Sequence, residues 1–186
     1  MFRCKKEIEE LRKSNEEQKK LICKQSILLK DHQVLLENAD RIQQEGDFHL
    51  YIQDGHLHYI QIKPEKTDFV YTVTFSVYRL SQHYYSSGAW ISQAVGNIVM
   101  CQDTDFPYKT NNTFDLTSLD TIPDYQRQGH ASHLISAILS FSYEHKVQLV
   151  SGDLYAETPI GIDNLRNFYQ KNGFKVGKSS FSMALK

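Results

Sequence analysis

Residues 3–45 contain no Gly or Pro and are crowded with Glu, Lys, Gln and Leu, straight-chain residues that lose little rotamer freedom in a helix. The pattern predicts one long helix or a helical pair. Its first half offers only Ile8 and Leu11 as large apolar residues, whereas the second has Leu21, Ile22, Leu28, Leu29, Leu35, Leu36 and Ile42, a repeat near seven. The second half must pack on something. The pattern favours docking onto the chain's own sheet over a coiled-coil homodimer seam, because Asn15, Gln18, Gln25 and His32 fall where a seam wants apolar side chains. Gly46 ends the segment, which divides the chain into a helical segment, 1–46, and a domain, 47–186.

From Phe48 the period changes to two. Phe48 to Gln53, Asp54-Gly55, then His56 to Lys63 reads as a hairpin closed by a type I′ turn. Pro64 is expected to separate it from the next strand, in which Phe69, Tyr71, Val73, Phe75 and Val77 alternate with Val70, Thr72, Thr74 and Ser76. A Ser/Tyr/Gly stretch, 81–88, leads to a strand around Trp90 to Met100, and a polar loop from Gln102 to Asn112 precedes a strand from Phe114 to Thr121. This middle portion is an antiparallel meander.

After Pro123 the period returns to that of a helix, with Ala131, Leu134, Ile135 and Ile138 in one stripe running to about His145. Val147 to Tyr155 reads as a strand and Ile162 to Lys171 as a short helix ended by Gly173. Strands near 174–176 and 180–185 finish the chain. The expected class is α/β of the α+β kind, a mixed, mainly antiparallel sheet flanked by helices.

Composition narrows the class of activity. Leu, Ile, Val and Phe make 50 of 186 residues, well above the range of disordered chains, so the chain folds. Its 21 Lys and Arg against 22 Asp and Glu leave a formal charge of -1, which argues against holding nucleic acid by bulk attraction. Cys4, Cys23 and Cys101 lack a C-x-x-C spacing, so neither a disulfide framework nor a zinc site is indicated, and a reduced, cytoplasmic setting fits. No apolar run supports secretion or a membrane span. His56 with His58, and His130 with His133, form two pairs without evident further ligands, so no metal is expected.

Chemistry concentrates where a strand turns into a helix, at Asp120-Thr121-Ile122-Pro123-Asp124-Tyr125-Gln126-Arg127-Gln128-Gly129-His130-Ala131-Ser132. Unpaired N–H groups and the positive end of a helix dipole converge at such a point, and small residues at 129 and 131 let another group approach the main chain. The spacing reads as a phosphate or pyrophosphate site, with Arg127 able to add a charge-assisted hydrogen bond.

These residues resemble the acetyl-CoA motif of the GCN5-related N-acetyltransferases, a strand, V-x-P, then Q/R-x-x-G-x-G/A opening a helix. Here Thr121-Ile122-Pro123 and Gln126-x-x-Gly129-x-Ala131 stand in those places. The family's second signature, F-Y-x-x-x-G-F, is matched by Phe168-Tyr169-Gln170-Lys171-Asn172-Gly173-Phe174. The resemblance covers roughly residues 113 to 186 and, loosely, the preceding meander. The sequence departs from the pattern at Thr121, which replaces Val, and at Ile162, where the family often has Asn; Asn164 lies one turn nearer.

The resemblance implies that the strands at 114–121 and 148–155 splay apart and that their edges bind the pantetheine arm of acetyl-CoA. It places Asp120, Thr121, Gln126, Arg127, Gln128, Gly129, His130, Ala131, Ser132 and Asn164 at the cofactor. It also implies that Tyr169 is the general acid for the departing thiolate, a role its phenol suits by staying protonated at neutral pH. Asp115, six residues before Thr121, stands where histone-type members carry a catalytic Glu, and Glu157 is the reserve base. Tyr84, Tyr85 and Trp90 either line an acceptor cleft or pack on the sheet, and the acidic loop of Asp103 and Asp105 either attracts a cationic acceptor or is solvated. The expected activity is direct acetyl transfer to a primary amine of a small molecule or peptide. The alternative is a non-catalytic CoA-binding module recruited through the N-terminal helix.

Overall fold

A computed structural model describes residues 2–44, 46–67, 70–80, 90–102, 110–155 and 160–185. The N-terminal segment is a single helix, α1 (Phe2–Gln44), and Gly46 beyond it takes a φ of 119° that an L side chain rarely adopts. The sheet then builds as a meander of β1 (Asp47–Gln53), β2 (His56–Lys66), β3 (Tyr71–Arg79), β4 (Ser92–Gln102) and β5 (Thr110–Thr121). A 3-10 turn at Pro123–Tyr125 leads into α2 (His130–Glu144), followed by β6 (Leu149–Asp153), α3 (Ile162–Lys171), β7 (Lys175–Val176) and β8 (Ser180–Ala184). The eight strands lie in the order β1-β2-β3-β4-β5-β6-β8-β7. Neighbours are antiparallel except β5 and β6, which run parallel across the α2 crossover.

The hairpin forms as expected, with positive φ at both Asp54 (51°) and Gly55 (78°), the requirement of a type I′ turn. Pro64 does not separate β2 from β3. It lies within β2, opposite Val73. Pairing with β1 ends at Ile62, so beyond that residue β2 is the outer strand, where a missing N–H interrupts no ladder. Phe69 and the loop at 103–109 lie outside the described residues.

The alternating faces of the strands sort two cores. Ile60 and Ile62 of β2, Val73, Phe75 and Val77 of β3, Ala94 of β4 and Phe114 and Leu116 of β5 meet Leu134, Ile135, Ile138 and Phe141 of α2. On β2 the odd residues Leu57 and Tyr59 join Leu80 in a second cluster with Val34 and Ile42 of α1. A fully buried aliphatic side chain stabilises by about 1.5–3 kcal/mol, so the second half of α1 holds the helix to the sheet. Its first half makes no such contribution: Ile8 and Leu11 are more than half exposed, as are Leu21 and Ile22 at the start of the second half.

Candidate functional site

The junction between β5 and α2 is shaped by backbone as well as by side chains. Gln126 N–H closes the 3-10 turn onto Pro123 O at 3.2 Å. Positive φ at Arg127 (62°) and Gly129 (93°) brackets Gln128, an alternation that gathers successive N–H groups on a concave side. Gln126 Nε2 donates to Thr121 O at 3.2 Å and Gln128 Nε2 to Asp124 O at 2.8 Å, bracing the loop from its own side chains. No side chain caps α2, and the first N–H groups to bond back are those of Ser132 and His133, both to Gly129 O. The earlier N–H groups are left for an anion, as helix N-termini leave them. Gly129 is exposed, and a Cβ there would make ordinary contact with Gln53 Oε1 at 3.6 Å. Such a cradle suits an anion. Arg127 and Gln126 are exposed beside it, whereas the His130 side chain is buried away from it, leaving its N–H.

Strands β5 and β6 part company. Their pairing runs from Thr113↔Leu149 to Leu116↔Gly152 and stops, while β5 continues against β4 to Thr121 and the chain after Gly152 follows β8, Leu154 N–H bonding Ser179 O at 2.8 Å. The β5 edge from Thr117 to Thr121 is therefore open on that side. Gly152 sits at the fork because a Cβ there would come within 2.5 Å of the Phe181 ring and 2.7 Å of Leu116 O. The register between β4 and β5 shifts at Val95/Gly96, leaving Thr117 as the extra residue, its hydroxyl donating to Val95 O at 2.9 Å. This bulge returns the pleat to phase: Asp115 opposite Asn97 and Asp120 opposite Gln93 share one face, away from Phe114, Leu116 and Leu119. Thr121, the departure from the expected Val, is matched by Ser92, the two hydroxyls 2.7 Å apart.

Tyr169 lies on the buried side of α3, 4% exposed, with its ring stacked 3.6 Å from that of Phe181 and edge-on to Phe168 and Phe174. Burial, and next the Asp120 carboxylate, push its phenol well above the usual range, so it carries its proton at neutral pH. Asp115 is half-buried beside the fork. Burial, and next the charge of Asp153, raise its carboxyl above its ordinary value, which strengthens it as a proton acceptor. Asn164 is exposed and donates to Ile160 O at 2.8 Å, while Ile162 packs against the core. Trp90 is half-buried. Glu157, Tyr84, Tyr85, Asp103 and Asp105 lie outside the described residues.

The histidines are grouped differently from the two sequence pairs. His58, His130 and His133 converge on Tyr51, whose ring stacks on His133 at 4.0 Å and on His58 at 5.2 Å, with His58 and His130 4.9 Å apart. His56 turns instead to Asp31, its Nδ1 3.4 Å from the carboxylate. The grouping depends on a hairpin folding over a helix more than seventy positions away, which local spacing does not reveal. Among the described residues no group of three His, Cys, Asp or Glu side chains is placed to hold a metal ion, and no helix is long and apolar enough to cross a membrane.

No protein-family model matches the chain, and no curated protein sequence does either. Solved structures do. The GNAT domain of S. lividans PAT aligns over 74% of this chain and 97% of its own with a TM-score of 0.53 at 11% identity. Arabidopsis thaliana NAA60 in complex with a bisubstrate analogue aligns over 62% of this chain and 77% of its own, with a TM-score of 0.51 at 14% identity. The same protein in complex with acetyl-CoA aligns equally well, with a TM-score of 0.51. The fold is that of the GCN5-related N-acetyltransferases. In this GNAT fold the open β5 edge leads straight into the turn that starts α2.

Proposed function

We propose that the protein is an acetyl-CoA-dependent N-acetyltransferase that transfers acetyl directly to a primary amine. The observation that carries this reading is the continuity of the open β5 edge with the uncapped turn at Gln126 to Ala131: an extended amide-bearing arm and an anion are accommodated end to end. The likeness to NAA60, which has been solved with acetyl-CoA and with a bisubstrate analogue, supports it. The set from Gln126 to Ser132 takes the diphosphate, the edge at Asp120 and Thr121 takes the pantetheine amides, and Asn164 lies near the arm.

The chemistry follows from residue types. An alkylammonium must lose a proton before its nitrogen attacks the thioester carbonyl, and Asp115, its proton affinity raised by burial and by Asp153, receives that proton directly or through water. N–H groups at the β5 edge near Asp120 and Thr121 are donors for the carbonyl oxygen as negative charge builds there. As the C–S bond breaks, Tyr169 gives its phenolic proton to sulfur, and the second proton that the nitrogen loses on becoming an amide returns to the phenolate directly or through water. The acceptor is a small-molecule or peptide amine.

A second reading, a CoA-binding module that catalyses nothing and is recruited through α1, draws on the exposed stripe of Ile22, Leu29 and Leu36. Two measurements separate the readings: mass spectrometry of the purified protein for co-bound acetyl-CoA, and release of free CoA thiol across a panel of amines. Binding with amine-dependent thiol release supports the enzyme. Binding with no release across the panel favours the module.

A further inference from the structure

The β1–β2 hairpin reaches the start of α2 from outside both motif segments. Tyr51 Oη lies 2.7 Å from His130 Nδ1, and His130 is the first residue of the helix. The His133 ring stacks on that of Tyr51 at 4.0 Å and His58, from β2, stacks on it at 5.2 Å. Tyr125, from the 3-10 turn, meets the His130 ring edge-on at 6.0 Å. Both His58 and His130 are almost wholly buried, 4% and 2% exposed. At the hairpin tip Gln53 stands over Gly129, and Asp54 is close enough for its charge to act on His130. His56 and Arg79 are also close enough for their charges to act on His58.

The loop before α2 is braced by Gln126 and Gln128, but the first turn itself is held locally only by its bonds to Gly129 O. It has no side-chain cap, and Gly129 before it is the residue type with most backbone freedom. The Tyr51 hydrogen bond ties the first turn to another element through the His130 side chain and leaves its N–H groups free. With Tyr51 as donor His130 accepts at Nδ1, and with the proton on Nδ1 the phenol oxygen accepts. Burial, followed by His133, disfavours the imidazolium and burial of Tyr51 keeps its proton on the phenol, so either arrangement joins two neutral groups.

We propose that the β1–β2 hairpin is a positioning element of the cofactor site: Tyr51, acting through His130, holds the first turn of α2 in the geometry that binds the diphosphate. This rests on the reading of that turn as the CoA diphosphate site. Tyr51 touches no reacting atom, so its effect belongs to cofactor affinity.

The test measures CoA dissociation constants by calorimetry, well below the melting temperature, together with melting temperatures of the free protein. Tyr51→Phe keeps both ring stacks and removes only the hydroxyl; Tyr51→Leu removes the stacks as well. Losing the bond frees the first turn from its binding geometry, and a loss of the size of one hydrogen bond corresponds to about 3- to 10-fold in affinity. Tyr51→Phe is therefore expected to raise the CoA dissociation constant by that factor, together with a lower melting temperature from the buried His130 nitrogen left without its partner. A merely structural Tyr51 lowers the melting temperature in both variants and leaves the affinity of the folded protein at the wild-type value. In a cycle with His130→Phe, the double variant is expected to bind CoA no more weakly than His130→Phe alone. Wild-type affinity in Tyr51→Phe, or simple additivity in the cycle, overturns the positioning role while leaving the CoA reading intact. A wild-type protein that binds no CoA overturns both.

Discussion

The Asp31 carboxylate accepts a 2.9 Å hydrogen bond from the Leu57 backbone N–H, and at 2% exposure it is buried between α1 and β2. It lies one turn before Val34 and Leu35 on the face of α1 that docks, so a polar pin is set beside the apolar seam. Removing the carboxylate leaves the Leu57 N–H without a partner, which costs about 1–3 kcal/mol. Asp31→Ala is therefore expected to lower the urea midpoint by that equivalent. Asp31→Asn, whose amide oxygen can still accept, should recover most of it. Equal midpoints for Asp31→Ala and wild type would show that α1 is held by its aliphatic contacts alone.

A division of the chain at residue 46 leads to a second expectation. The first half of α1 buries no large apolar residue, whereas Leu57, Tyr59 and Leu80 rely on the second half for cover. Deleting residues 1–18 should leave a soluble, CoA-binding protein, and deleting 1–45 should expose that cluster and cause aggregation. Light scattering reads both. A change from dimer to monomer in the shorter deletion, with folding retained, would assign the Ile8–Leu36 stripe to a homodimer seam.

The helix shows where sequence patterns stop being informative. The repeat near seven blends two stripes one residue apart: Leu28, Leu35 and Ile42 face the sheet, whereas Ile22, Leu29 and Leu36 lie about 100° further round and are exposed. Buried Asp31 breaks the apolar pattern and becomes intelligible only once Leu57 is beside it. The strand-to-helix turn was legible because its requirements are local, a proline, a positive-φ glycine and a small residue at fixed offsets. The Thr117 bulge was not, since a register shift depends on the partner strand. For the same reason Pro64 read as a break, because only the length of β1 decides whether residue 64 belongs to an inner or an outer strand.

The histidine cluster makes stability depend on pH. Burial, and next the nearby His130, lower the pKa of His58 to about 4, below the value of about 6.5 that it has in an unfolded chain. The unfolded state then binds more protons between those values. Stability is complete above about pH 6.5 and falls as pH drops towards 4, by up to about 1.4 kcal/mol per pH unit from this residue. His130 and His133, also lowered, act in the same direction. His58→Phe keeps an aromatic ring against Tyr51 and cannot titrate, so urea midpoints measured between pH 4 and 7 should show a shallower decline. A variant that declines as steeply as wild type would place the acid sensitivity elsewhere.

Tyr169 allows binding and chemistry to be separated. Tyr169→Phe preserves the stack on Phe181 and the edge contacts with Phe168 and Phe174, and removes the proton assigned to the departing sulfur. Folding and acetyl-CoA affinity should change little. Turnover should fall by at least about 100-fold where chemistry limits the rate, since general acid catalysis contributes about 100- to 10,000-fold. Asp115→Asn provides the contrast. If Asp115 accepts the amine's proton, activity in the wild type has an acidic limb lying above the usual carboxylate range, in the direction in which burial and Asp153 displace it. In Asp115→Asn the loss should be partly restored at high pH, where more of the amine is already neutral, and the loss in Tyr169→Phe should not be. Replacing Asp153 with Asn removes the neighbouring charge and should move the acidic limb down without removing it. Near-wild-type turnover in Tyr169→Phe, on an acceptor for which chemistry is rate-limiting, would leave Tyr169 as a packing residue and require another source for the thiol proton.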